Sequence, residues 1–172
     1  EGISISEAKK LCAEAELKED WMKETAVAEK TILGPTAKTA EEPLDIAVID
    51  FCIKQHIVDF LREKNCELTL YPYGTEAEEI IADDPDGIFL TNGPGNPEEA
   101  AEAIEEVKTL IAESELPMFG IGLGHQILTI ALGGSTYKLK YGHRGGNHGV
   151  YDKETKRSYI TSQNHGYAVN HD

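Results

Sequence analysis

The chain has 172 residues, 40% of them hydrophobic, and 31 acidic against 16 basic side chains leave a formal charge of -15. That length can bury one sizeable core, and a field of that sign repels nucleic-acid backbones and anionic lipid surfaces, so neither nucleic acid nor membrane is an expected partner. With no run of about 18 apolar residues and a polar, acidic N-terminal stretch, the expected location is the cytoplasm.

In chain order, Ile5, Ala8, Leu11, Cys12, Ala15 and Leu17 recur at helical spacing and predict a helix within Ser4 to Lys30, capped by Ser4 or Ser6 with Glu7 in its first turn. Gly34 to Pro43 is polar, carries two prolines and lacks periodicity, so it reads as a linker. From Leu44 the pattern alternates. Strands are expected at Leu44–Phe51, Glu67–Tyr71, Gly87–Thr91 and Pro117–Ile121, and helices at Ile57–Lys64, Ala77–Ala82, Pro97–Ala112 and His125–Leu132. The long acidic helix would turn Ala100, Ala103, Ile104, Val107 and Ile111 inward. This order implies a mostly parallel sheet flanked by helices, an α/β fold. Beyond Gly133, short pieces rich in Thr, Tyr and Val predict antiparallel strands or loops along one edge. Cys12, Cys52 and Cys66 are irregularly spaced with no CxxC pair, which argues for reduced thiols instead of a disulfide framework or a zinc site.

In such a sheet, ligands sit beyond the carboxyl ends of the strands, and three junctions there are unusual. Thr91-Asn92-Gly93-Pro94-Gly95-Asn96-Pro97 joins a strand to a helix; its glycines allow close backbone approach, and N–H groups at a helix start can stabilise developing negative charge, although an ordinary turn has the same composition. Gly120-Ile121-Gly122-Leu123-Gly124 has the shape of a nucleophile elbow, but its middle residue has no side chain to attack with. Its spacing is not the G-x-G-x-x-G of a dinucleotide loop. The third region pairs Gly142-His143-Arg144-Gly145-Gly146-Asn147-His148 with Ser162-Gln163-Asn164-His165-Gly166-Tyr167. His143 and His148 have no acidic or cysteine partner nearby, so no metal is expected. Lys138, Lys140, His143 and Arg144 form one short basic patch in a glycine-rich loop.

Taken together and in this order, these segments resemble the class I glutamine amidotransferase domain of carbamoyl phosphate synthetase small subunits. The resemblance runs from about Leu44 to the end, and Asp20-Trp21-Met22-Lys23-Glu24 is similar to the segment joining that subunit's two domains. It implies a flavodoxin-like amidotransferase core over residues 44–172, preceded by a helical segment and linker over 1–43, with no cofactor. The family hydrolyses glutamine through a cysteine thioester and passes ammonia to a large synthetase subunit, so L-glutamine and that subunit are the implied partners.

Carried over by position, Gly122 stands at the nucleophile, and Gly93 and Leu123 supply the oxyanion N–H groups. Gly93, Gly95, Leu123, Gln126, Asn164, Gly166 and Tyr167 bind the substrate. The family's base histidine and its orienting glutamate belong to a Tyr/Phe-His-Pro-Glu segment beyond Asp172. The resemblance therefore implies a domain that stops short of the family's C-terminal end and cannot hydrolyse glutamine. Cys52 follows the first strand, where the family usually has glycine; a buried thiol is its default role. His125, without a thiol to activate, is expected to serve the start of its helix.

Overall fold

The computed structural model describes residues 3–14 and 21–170. Helix α1, Ile5–Glu14, opens on a capping box: the Ser4 hydroxyl accepts the Glu7 N–H at 3.2 Å, and the Glu7 carboxylate accepts the Ser4 N–H at 3.1 Å. Ser4 is thus the cap. The helical positions Ala15 and Leu17 lie outside the described residues. A short helix α2, Trp21–Thr25, follows, and Met22 is buried in the main core.

Strand β1, Thr31–Leu33, is a strand where the sequence reading has only the gap between helix and linker. It pairs antiparallel with β3, Cys66–Tyr71. Three residues are too few for a periodicity signal, so the strand is fixed by its partner. Residues 34–43 have no regular structure but are fastened to α3, Gln55–Glu63: the Arg62 Nε donates to the Gly34 carbonyl at 2.6 Å, and the Thr36 and Ala37 N–H groups bond the Arg62 carbonyl.

The remaining strands of this sheet are β2, Leu44–Ile49, β4, Gly87–Leu90, and β5, Met118–Gly120, all parallel with β3. The sheet order is β1-β3-β2-β4-β5, so the chain reverses its direction of growth between β2 and β4. Ligand crevices form at such a switch point, outside the carboxyl ends of the strands.

Both faces are covered. Helices α4, Ala77–Ala82, α5, Ala101–Glu113, and α6, Leu123–Ala131, bury Ile80, Val107, Leu110 and Ile127 with Ala47, Ile49 and Leu90 of the sheet. On the other face, Val58 of α3 packs with Val48, Leu68, Leu70 and Phe89. Leu110, not Ile111, is the deepest residue near the end of α5; Ile111 packs at its margin. A one-turn 3-10 helix, Pro97–Glu99, precedes α5, with the Asn96 side chain accepting the Glu98 N–H.

Past Gly133 the structure departs from the expected short pieces. Strands β6, Thr136–Asp152, and β7, Arg157–Val169, form one long antiparallel hairpin in its own two-stranded sheet. Register shifts between Lys138 and His143 and between Gly145 and His148 break it into stretches, which is why its sequence shows no sustained alternation.

Two polar anchors hold the edges of this architecture. The buried Asp50 carboxylate accepts the Val27 N–H at 2.8 Å, the Cys52 N–H at 3.0 Å and the Ile53 N–H at 2.7 Å. Replacing it by alanine strands three donors, so Asp50→Ala should cost on the order of 3 kcal/mol in denaturant unfolding. The second anchor is Asp83, which accepts from both Lys30 and the Tyr71 hydroxyl. The Lys30 bond, then that of Tyr71, holds the Asp83 carboxyl below its usual range. A depressed carboxylate contributes stability that is complete above its unfolded pKa and lost as pH falls through the lower folded value. The melting difference between wild type and Asp83→Ala should therefore be full at neutral pH and shrink on acidification below about pH 4.

Candidate functional site

Three strand ends meet at the switch point, and Thr91 ties them together. Its N–H bonds the Ile49 carbonyl, its buried hydroxyl accepts the Phe51 N–H at 2.8 Å, and that hydroxyl donates to the Asn92 carbonyl at 2.9 Å. Asn92 Nδ2 then donates to the Cys52 carbonyl at 2.7 Å. The loops after β2 and β4 are thus one hydrogen-bonded unit. The loop after β5 joins it through the Ile121 N–H on the Leu90 carbonyl and the Gly124 N–H on the Thr91 carbonyl, at 3.1 and 2.9 Å.

The three glycines of the elbow have different reasons to be glycine. A Cβ on Gly124 would stand 2.2 Å from the Leu90 oxygen, and one on Gly120 would stand 2.6 Å from the His125 nitrogen. Backbone cannot yield there, so these two positions exclude every other residue. At Gly122 a Cβ would meet only Asn92, at 3.7 Å, in ordinary contact. What is unusual at Gly122 is its backbone, with φ 57° and ψ -113°. A side chain therefore fits the space but is held in a strained conformation, as a nucleophile elbow requires.

Residue 122 is exposed and caps the N-terminus of α6. The next N–H, that of Leu123, has no acceptor among the described residues, and neither has that of Gly93. These two residues are adjacent: a Cβ on Gly93 would lie 2.8 Å from Leu123 Cδ2 and 2.6 Å from Phe51 Cβ. Gly95, at φ 95°, faces Met22 of α2. Gln126, one turn into α6, donates through Nε2 to the Tyr167 carbonyl at 2.8 Å and so draws β7 to the helix. The structure thus brings Gly93, Gly122, Leu123, Gln126 and Tyr167 to one end of the sheet. Gly166 is carried along beside Arg144, whereas Asn164 is exposed opposite Arg144 in the hairpin, with no described bond to the elbow.

Cys52 does share this edge, as its position after β2 implies. It holds a left-handed φ of 125°, a conformation natural to glycine, and its side chain is half-buried. His125 is exposed in the first turn of α6. His143 and His148 stack on one another in the hairpin, and among the described residues no group of three or more His, Cys, Asp or Glu side chains is placed to hold a metal ion. Sequence reasoning passed over Asp50 and, although it singled out the turn that begins at Thr91 and Asn92, assigned those two side chains no part in fastening the loops. Their only signal is a polar residue directly after an apolar strand, which ordinary turns share.

Gly124→Ala should unfold the chain or lower its melting temperature steeply, while Gly122→Cys should fold and lose only about 1–3 kcal/mol in denaturant unfolding. Cys52→Gly should raise the melting temperature, because glycine adopts that φ without strain.

A glutamine amidotransferase class-I family profile matches residues 47–172. The carbamoyl phosphate synthase small chain of Clostridium acetobutylicum is 50% identical over 167 residues, covering 97% of this chain and 45% of that protein. That of Methanococcus maripaludis strain C5 is 51% identical over 129 residues, covering 75% and 35%. The chain spans less than half the length of these relatives. Among solved structures, a glutamine amidotransferase from Thermotoga maritima matches with a TM-score of 0.57 at 21% identity, covering 76% of this chain and 64% of that one; its likeness is one of fold. With a matching profile over most of its length and the elbow and its facing glycine turn in place, the chain belongs to the class I glutamine amidotransferase family.

Proposed function

We propose that this chain is the glutamine-handling core of a carbamoyl phosphate synthase small chain in which glutamine is bound but not hydrolysed. The observation that carries the reading is the elbow: Gly122 occupies the strained position beneath which α6 begins, and nothing at that position can form a thioester. In the family's reaction a thiol there attacks the carboxamide carbon of glutamine. The oxygen that becomes negative is stabilised by the Gly93 and Leu123 N–H groups, and the amide nitrogen leaves as ammonia after proton transfer. Here the donors remain and the attacking atom does not.

Gln126 and the strand segment of Asn164, Gly166 and Tyr167 would grip the amino-acid end of glutamine, as the resemblance implies. The space above Gly122, lined by Asn92, would receive the intact carboxamide. Relatives named carbamoyl phosphate synthase small chain support a large synthetase subunit as the protein partner, with carbamoyl phosphate synthesis as the process served. Among the described residues no helix is long and apolar enough to cross a membrane. A second reading, a docking module that has lost glutamine as well as the thiol, differs in one measurable respect.

Calorimetric titration with L-glutamine should give saturable binding, while ammonia release stays at the uncatalysed rate. Ammonia release by the wild type would overturn the proposal; absence of binding would favour the docking module.

A further inference from the structure

The hairpin reverses the charge of the chain. Thr136–Tyr151 and Arg157–Val169 contain no acidic residue, in a sequence with 31 acidic and 16 basic side chains. The hairpin's carboxylates, Asp152 and Glu154, lie at its turn, where that of Asp152 already accepts the Glu154 and Thr155 N–H groups and the Thr155 hydroxyl. An anion approaching the other end of the ribbon meets a local positive field, in which Lys138 lies 6.0 Å from the Tyr167 ring centroid.

Within that field Arg144 occupies a built seat. Its Nη1 donates to the Tyr141 carbonyl at 2.7 Å. A Cβ on Gly142 would stand 2.2 Å from Nη1 and 2.6 Å from the His165 carbonyl oxygen, and one on Gly166 would stand 3.4 Å from Nη2. The guanidinium thus fills the space that a side chain at 142 would take and lies against bare backbone of the opposite strand. A solvated surface arginine swings freely; this one is placed by a carbonyl and two glycines. Residue 144 is nevertheless exposed, and its other N–H groups have no acceptor among the described residues. A guanidinium is a planar fork of N–H donors that fits a carboxylate in two-point contact.

The seat adjoins the segment assigned to the ligand's amino-acid end. Gly166 precedes Tyr167, whose carbonyl takes the Gln126 Nε2–H at 2.8 Å. Gln126 follows the Gly122 cap of α6 by about 6 Å of helical rise. In glutamine the carboxamide and carboxylate carbons are four single bonds apart, about 5 Å when extended. A glutamine with its carboxamide over Gly122 and its chain along α6 therefore ends at the level of Gln126 and Tyr167, beside the strand segment that Arg144 touches.

We propose that Arg144 is a specificity-determining residue that binds the α-carboxylate of the amino acid held over the elbow. The inference rests on the glutamine reading above and names the group that recognises the ligand's other end. An amide in place of that carboxylate removes the charge and turns N–H donors toward a group that can only donate. The seat therefore separates free glutamine from a glutaminyl residue within a peptide, whose α-carboxyl is an amide.

Calorimetric titration with L-glutamine and with L-glutaminamide, whose α-carboxylate is replaced by an amide, tests this on the wild-type chain, Arg144→Gln and Arg157→Gln. The wild type should bind glutamine about tenfold or more tighter than glutaminamide, and the ratio should fall to about threefold or less in Arg144→Gln. Arg157→Gln removes the same charge at the turn of the hairpin, where Arg157 pairs in register with Asp152, and should keep the wild-type ratio. If Arg144→Gln weakens both ligands by one factor or leaves both unchanged, Arg144 only shapes the hairpin; the proposal is overturned while the glutamine site stands. A ratio that collapses equally in Arg157→Gln would assign the preference to the general field and overturn it too. Should Arg144→Gln not fold, Arg144→Lys, which keeps the charge without the planar fork, should retain only part of the ratio, and an unchanged ratio would count against the proposal. If the wild type binds no glutamine, the pocket reading fails and takes this inference with it.

Discussion

The approach of the Gly124 α-carbon to the Leu90 carbonyl fixes everything around the elbow. No side chain can stand between them, and the Gly124 N–H closes on the Thr91 oxygen at 2.9 Å. This backbone-on-backbone contact sets where α6 starts relative to β4. With Gly124 pinned, the chain from Gly120 must turn sharply within a few residues, and Gly122 takes up that turn at φ 57°. The same placement leaves the Leu123 N–H at a helix start without an acceptor among the described residues and beside the Gly93 turn. A packing constraint thus produces the helix-start geometry on which the proposed reading rests.

The neighbouring loops are held by buried polar groups instead of apolar contact. Thr91 accepts, donates and spans β2 to β4, and Asp50 collects three N–H groups that would otherwise be stranded at the sheet edge. Against this rigid frame, two residues look exchanged. Glycine stands at 122, where the family's chemistry calls for a strained thiol, and cysteine stands at 52, where a φ of 125° calls for glycine. The chain relieves strain at the first position and retains it at the second. For the reading proposed here the first matters more: a relaxed, side-chain-free elbow keeps the oxyanion donors while removing the reaction that would consume the ligand.

Much of the fold was legible because the strands are short apolar runs bounded by Gly, Pro and Asp, and the helices between them are amphipathic. Ala77–Ala82 matches its expected bounds, and the other core elements differ by a few residues at their ends, where caps and tight turns decide. β1 was not legible, because Thr31–Leu33 is a strand only through its pairing with β3. The hairpin was misjudged in length and placement, since its glycines and register shifts hide the alternation that marks a strand. At the site, the glycine turns and Gln126 could be found from motif order. The fastening roles of Asp50, Thr91 and Asn92 could not, because they lie in contacts between segments about 20 to 40 positions apart.

The central claim is that the Gly93 turn and the α6 N-terminus form a glutamine site around an unreactive Gly122. A residue-resolved amide NMR titration of the wild-type chain with L-glutamine addresses it directly. The account predicts saturable shifts centred on Gly93, Leu123, Gln126 and Tyr167, with the glutamine recovered unhydrolysed. Shifts confined to other parts of the surface, or free glutamate appearing during the titration, would contradict it.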